Sequence, residues 1–493
     1  MKKKTKAFKT ILWLLSLIVV FIIAFFIGKS NRSYTVDAVA DNLKMSVTNR
    51  ISKSMHLNAR KLVLMENPEM IKQIMKGGSF GNKNFSVLAA QNMFSRDPKV
   101  VEDVIKKTTI EEVAKGIWFI RLPFVNVTLI DTKDGLVLVD TGMEPAGPAV
   151  LKAIRSVSKK HIHTILYTHG HVDHSYGTWA LIEAGEHPEI IAQENIKDRF
   201  WKYINLRGLI ARYMSQPVDQ MPKDSTDIIW PTRYFDDTLS LDIGGVRFEL
   251  MHYRGETDDQ FFVWLPDRKT ILTADYYQGF LPNAGNGKRG QRYVSDWIRA
   301  FRKMVSLQPQ LMLPSHGVAV DDPQLIQKDL TVTADALEYI YNETVEGLNA
   351  GLRRDQIFQS IELPEKFKKE PVLQPKYVSA KDISKMIMKQ YGGWWNDIPS
   401  DWSPAPLELQ AEEIVKLSGG IDKLVEHTKM LADENLALAA NFADWAFLSD
   451  PDDPEVQQLV MDIYRRRILS PNTYTQEKLV YLDRMADVRA RMK

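Results

Sequence analysis

The sequence predicts an α/β domain followed by an all-α region. Three observations carry that expectation. Short β-rich runs alternate with helical stretches from Glu111 to Asp321. After Asp321 the strand pattern stops, and residues 322–490 read as helices with one Trp/Pro-rich interruption, "YGGWWNDIPSDWSPAP". Between two such runs, "YTHGHVDHSYG" places three of the chain's ten histidines and an aspartate within His169 to His174.

The elements follow in order. "GIWFIRL", "VNVTLIDT" and "GLVLVDTG" are strands separated by turn signals such as "KDG". "EPAGPAVLKAIRSVS" is a helix, and "HIHTILYT" is a strand leading into the histidine motif. "EIIAQ", "TLSLDIGGVRFELMHY", "QFFVWLPD", "KTILTAD" and "PQLMLPSHG" are further strands. Residues 31–108 read as polar and mostly helical, with "DPKVVEDVIKKTT" as one helix.

Composition bounds the function. At 493 residues and 44% apolar content, the chain is long enough for more than one core. The net charge is +2, and six lysines among the first thirty residues leave residues 31–493 at −4. That balance offers no footprint for nucleic acid. The absence of cysteine excludes disulfides, thiolate ligands and a cysteine nucleophile, so a metal would be held by His, Asp and Glu. Ile11–Gly28 is an apolar run of eighteen residues with five lysines before it. As a helix it would be about 27 Å long, close to a bilayer core. We expect a single-pass membrane anchor in residues 1–30, with the body of the chain extracytoplasmic. A cleaved signal peptide fits less well, because the run is long and no small-x-small site follows it.

A strand ending in "THGHVDH" delivers side chains at the sheet edge, where open α/β sheets bind ligands. His169 and His171 can face one position, Asp173 and His174 a second. Four donors in six residues suit two metal ions a few ångströms apart better than a polar surface loop.

"HGHVDHSYG" resembles the His-x-His-x-Asp-His signature of the metallo-β-lactamase superfamily, and "GLVLVDTG" resembles the strand and turn before it. The resemblance implies an αβ/βα sandwich with two metals, usually zinc. It implies His169, His171 and Glu256 on one ion, Asp173, His174 and His316 on the other, and Asp275 with a hydroxide bridging them. Asp140 would orient a ligand or water. Glu256, in "RGETDDQ", stands where most members have histidine, and His252 is its rival. A glutamate there resembles the alkyl sulfatase branch. "KMLADENLALAANFADWAFLSDPDDPEVQQLVMDIYRRR" and the Trp/Pro-rich stretch resemble that branch's helical dimerisation domain.

The implied domains are an anchor (1–30), a helical N-terminal region (31–108), a catalytic domain (109–321) and a dimerisation-like domain (322–493). The implied activity is hydrolysis of sulfate monoesters by a homodimer with two Zn2+ per chain, Asp173 and Asp275 being catalytic. The alternatives are another ester, a phosphodiester or lactone, or a membrane-tethered binding protein with a vestigial fold. For the anionic substrate, Arg289 in the Gly-rich loop "NAGNGKRGQRY" resembles a family arginine, with Lys288 and Arg292 beside it. Asn205 and Tyr213 match a second family segment. The chain departs from the family where paired arginines become Leu209 and Ile210, and where a histidine proton donor falls on Asp382. Trp394, Trp395 and Trp402 are expected in the core of the helical domain rather than along a channel.

Overall fold

The computed structural model describes residues 59–78 and 84–492. The anchor expected over Ile11–Gly28 lies outside them. Among the described residues no helix is long and apolar enough to cross a membrane.

Among the described residues, twelve strands form two sheets. The first has seven: β1 (Thr109–Ala114), β2 (Ile117–Arg121), β3 (Asn126–Thr132), β4 (Gly135–Val139), β5 (Ile162–Leu166), β6 (Glu189–Gln193) and β7 (Arg233–Phe235), adjacent in chain order. The antiparallel ladder β1–β4 gives way to parallel pairing from β4 to β7. The second sheet comprises β8 (Thr238–Ile243), β9 (Val246–His252), β10 (Phe261–Leu265), β11 (Thr270–Ala274) and β12 (Leu311–Pro314), in the order β12-β11-β10-β9-β8. β8 and β9 form a hairpin through Gly244 and Gly245, both at positive φ, the conformation a two-residue turn requires.

The sheets pack face to face. Ile117, Phe119, Ile130, Val137 and Leu166 of the first meet Phe248, Leu250, Phe261, Val263 and Leu272 of the second in a dry core. Helices cover both outer faces, because both sheets carry buried side chains on two sides. β4 is buried at every position, as are β10, β11 and β12. The helix Pro98–Lys107 lays Val100 and Val104 onto the outer face of the first sheet.

The helical region divides in two. Helices Pro323–Asn349 and Ala380–Gly392 bury Leu330, Leu337, Ile340, Ile383 and Ile387 against the second sheet. Helices from Leu407 to Arg489 form a separate core with Ala439, Ala443, Val460 and Ile463. That core also takes in Val63 and Met70 from the N-terminal helices. Arg465 pairs with Glu69 at 2.8 Å and Arg489 with Glu66 at 2.9 Å across the same junction. Residues 59–78 therefore pack with the C-terminal helices, nearly 400 residues away in sequence.

The tryptophans of the Trp/Pro-rich stretch are not core. Trp394 and Trp402 are 71% and 63% exposed and pack on each other at 5.3 Å. None of the three tryptophans joins a helical cluster; Trp395 and Trp394 both pack on Trp402.

Candidate metal centre and substrate cavity

The site lies where the C-terminal ends of β4, β5, β11 and β12 converge. β5 ends at Leu166, and the following turn carries His169 and His171 before a short helix, Val172–Ser175, presents Asp173 and His174. Gly170 sits between the histidines because a Cβ there would lie 2.7 Å from the Arg199 side chain. Its N–H donates to Asp259 at 2.7 Å, which pins the turn.

Two residues at strand ends hold the left-handed conformation without being glycine. Asp140, after β4, has φ 64°, and Ala274, ending β11, has φ 48°. Such backbone costs about 1–2 kcal/mol and persists where surrounding structure enforces it. At Asp140 it turns the carboxylate inward. Oδ1 accepts the Thr168 N–H at 2.8 Å, and Oδ2 accepts from the Thr168 hydroxyl and from His174 Nδ1, each at 2.8 Å. At Ala274 it aims the next residue, Asp275, between the two sets of histidines.

All seven residues implied as ligands come together. His169, His174 and Asp275 form one group, Asp173, His174 and His316 a second, and His171, Glu256 and Asp275 a third, each with donor atoms within 4.8 Å. His174 Nε2 is 3.6 Å from Asp173 and 3.5 Å from Asp275. His316 Nε2 is 3.5 Å from Asp173 and 3.4 Å from Asp275. These separations exceed ordinary N–H···O bonds. They match two ligands sharing one tetrahedral ion, since donors about 2.1 Å from a metal lie roughly 3.4 Å apart. The buried atoms His174 Nε2 and Asp275 Oδ1 have no hydrogen-bond partner. His174 Nδ1 is occupied by Asp140 and His316 Nδ1 by the Phe124 carbonyl at 3.0 Å, so both rings turn Nε2 to the centre. An all-N/O donor set with orphaned buried atoms fits divalent metal.

The electrostatics agree. Burial, with neighbouring cations adding to it, holds His169 and His171 well below the usual imidazole range. At His316 burial acts the same way, but Asp275 and Asp173 outweigh it and push the ring up to about 10. Burial works against the Asp275 charge, yet His316 and His174 keep its carboxyl well below the usual range. Without metal, the acids hold protons on His174 and His316, while His169 and His171 stay neutral.

Glu256, rather than His252, enters this cluster. His252 is half-buried on β9 and bonds the Gln260 carbonyl at 2.8 Å, outside all three groups. Glu256 Oε2 lies 3.6 Å from His171 and 3.0 Å from Arg292, while Oε1 accepts from Asn283 at 3.0 Å. Arg292 is 1% exposed, so it is a partner of Glu256 and not a substrate donor. Asp382, where the family has a histidine, caps a helix: its carboxylate accepts from the Ser379 N–H at 2.9 Å and hydroxyl at 2.8 Å.

A cavity of about 240 Å³ opens beside His171. Its lining includes the cations Arg199, Lys202, Lys288 and Arg289 and the apolar or aromatic side chains Leu206, Leu209, Ile210 and Tyr213. Arg289 and Tyr213 thus stand where a substrate contact was expected. Asn205 does not. It is exposed at the end of the helix Ile196–Asn205, on the face turned from the cavity. Arg199 and Lys202 were not anticipated, because cations on an amphipathic helix read as a solvated face. Burial, then Arg199 and Arg289, lowers the Lys202 pKa.

Comparison with known proteins gives the same two parts. Residues 120–316 match the metallo-beta-lactamase superfamily, and residues 353–490 match the alkyl sulfatase dimerisation family. A linear primary-alkylsulfatase of Pseudomonas sp. (strain ATCC 19151) is 29% identical over 367 residues, 69% of each chain. The alkyl/aryl-sulfatase BDS1 of Saccharomyces cerevisiae (strain ATCC 204508 / S288c) is 20% identical over 383 residues, 71% of this chain and 59% of that one. The stereoselective inverting sec-alkylsulfatase Pisa1 from Pseudomonas sp. superposes with a TM-score of 0.69 at 17% identity, covering 89% of this chain and 78% of its own, and shares the fold. The chain therefore joins a metallo-beta-lactamase superfamily domain to an alkyl sulfatase dimerisation domain.

Proposed function

We propose that this protein is a metal-dependent hydrolase of sulfate monoesters whose alcohol part is apolar. The observation that carries this reading is the cavity beside His171, whose lining combines four cations with aliphatic side chains. An alkyl sulfate calls for that same combination. The names of similar relatives, two linear primary-alkylsulfatases and an alkyl/aryl-sulfatase, support the same class.

The donor set supports two Zn2+ per chain, held by His169, His171 and Glu256 on one side and Asp173, His174 and His316 on the other, with Asp275 shared. Bound there, such ions would supply Lewis acidity, activating water and offsetting charge on the ester oxygens. The protein's own groups do the rest. Arg289 and Arg199 draw the sulfate to the His171 side through forked donors. Leu209, Ile210 and Tyr213 exclude water around the alkyl chain. Asp275, shared between donor groups, and Asp173, beside His174 and His316, hold and orient the attacking water. Asp140 keeps His174 in the tautomer that points Nε2 inward. The helical domain supports a homodimer.

The metal-loaded chain, offered dodecyl sulfate, bis(p-nitrophenyl) phosphate and an acyl lactone, is expected to release inorganic sulfate fastest, read by ion chromatography. Hydrolysis of the phosphodiester or lactone with no sulfate release would replace this reading with that other ester.

A further inference from the structure

The Gly-rich loop that carries Lys288 and Arg289 is tied to two distant parts of the chain through one carboxylate. Lys288 Nζ lies 2.9 Å from Asp483 Oδ2, on the helix Thr475–Arg489. The other oxygen, Asp483 Oδ1, is 3.1 Å from Arg60 Nη2. Arg60 comes from the helical residues 59–66, and its side chain is 6% exposed against 16% for Asp483. Arg60 Nη1 also donates to the Ser215 hydroxyl. Ser215, at φ 59°, is the C-cap of the helix Arg207–Met214, which supplies Leu209, Ile210 and Tyr213 to the cavity. Within the loop, the N–H groups of Lys288 and Arg289 both donate to Asn286, at 3.1 Å each. One buried guanidinium therefore touches the supports of two parts of the cavity lining: the cationic loop through Asp483 and the apolar helix through Ser215.

We propose that Arg60 and Asp483 are positioning residues for the substrate anion, so that the N-terminal helix is part of the binding apparatus and not a spacer. Neither lines the cavity. Asp483 fixes the Lys288–Arg289 segment, and Arg60 fixes Asp483 while anchoring the end of the helix Arg207–Met214. This rests on the reading that the cavity takes an anionic ester. It also has a sign. If Asp483 merely neutralised Lys288, its removal would leave a freer cation and tighter anion binding. If it positions the loop, its removal weakens binding, because Lys288 and Arg289 lose their placement.

The test uses the full-length, metal-loaded chain and 1-decanesulfonate, a sulfate-ester mimic that cannot be hydrolysed, with binding read by calorimetry. Arg60→Met and Asp483→Asn are expected to raise its Kd about tenfold, a loss typical of misplaced charged contacts. KM for decyl sulfate should rise in parallel, with kcat within about twofold of wild type. Arg60→Lys, which keeps the charge, should recover most of the affinity. Thermal melting of each variant separates lost stability from lost binding. Unchanged or tighter sulfonate binding in both Arg60→Met and Asp483→Asn, whatever their melting temperatures, overturns the clamp. A wild-type chain that binds no sulfonate overturns the sulfate-ester reading, and with it the purpose assigned to the clamp.

Discussion

Asp275→Asn is expected to abolish hydrolysis, with kcat/KM falling by roughly a thousandfold or more, the scale of losing a principal electrostatic group from a buried site. Asp275 is shared by two of the three donor groups and lies 3.8 Å from His169, 3.5 Å from His174 and 3.4 Å from His316. Its removal also strips the largest charge that counters burial at His316, so that ring's pKa should fall from about 10. If two ions share Asp275, both positions would lose a ligand together, so metal content should fall well below that of the wild type. Mass spectrometry of the eluted metal, beside turnover of an alkyl sulfate, reads both. Full metal content with normal turnover in this variant would remove Asp275 from the centre.

Glu256→Gln should produce a graded defect. The amide keeps the shape and can still meet Asn283, but it offers a weaker donor to metal and no charge to Arg292, which is buried. Leaving that guanidinium unpaired is costly in itself. Metal should be lost first beside His169 and His171, while Asp173, His174 and His316 keep the other ion. Turnover should drop about 10- to 100-fold, as when a metal site loses part of its support. His252→Ala should leave both positions filled, since His252 is engaged with the Gln260 carbonyl. Occupancies from anomalous diffraction distinguish the two variants. An empty position in His252→Ala and two full ones in Glu256→Gln would exchange their roles.

What could be read from the sequence was local. His169, His171, Asp173 and His174 occupy six consecutive residues after a strand, so spacing alone brings them together. Glu256, Asp275 and His316 are separated in sequence, and only the family resemblance grouped them. Strands buried on both faces, such as β4 and β10, announce themselves as apolar runs. The edge strands of the first sheet do not. β1, "TIEEVA", has no buried residue, and β7 has three residues, so neither carries a periodic signal. Pairings between remote surfaces left no trace either. Arg292 looked like a loop cation until the fold buried it against Glu256, and Arg199 and Lys202 looked like solvent-facing charges on a helix. Asn205 fitted a motif, yet its place on the helix turns it outward. The tryptophans looked like core by residue type, but Trp394 and Trp402 lie on the surface. The docking of residues 59–78 on the last two helices depends on long-range complementarity that no window of sequence contains.

A zinc titration tests most directly whether a two-metal centre in this chain drives sulfate-ester hydrolysis. The chain is stripped with chelator, returned to chelator-free buffer, and titrated with Zn2+ while sulfate release from dodecyl sulfate is followed. Activity is expected to be absent from the stripped protein and to rise to a plateau at two zinc equivalents per chain. Undiminished sulfate release by fully metal-free protein, or a plateau at one equivalent, would contradict the account.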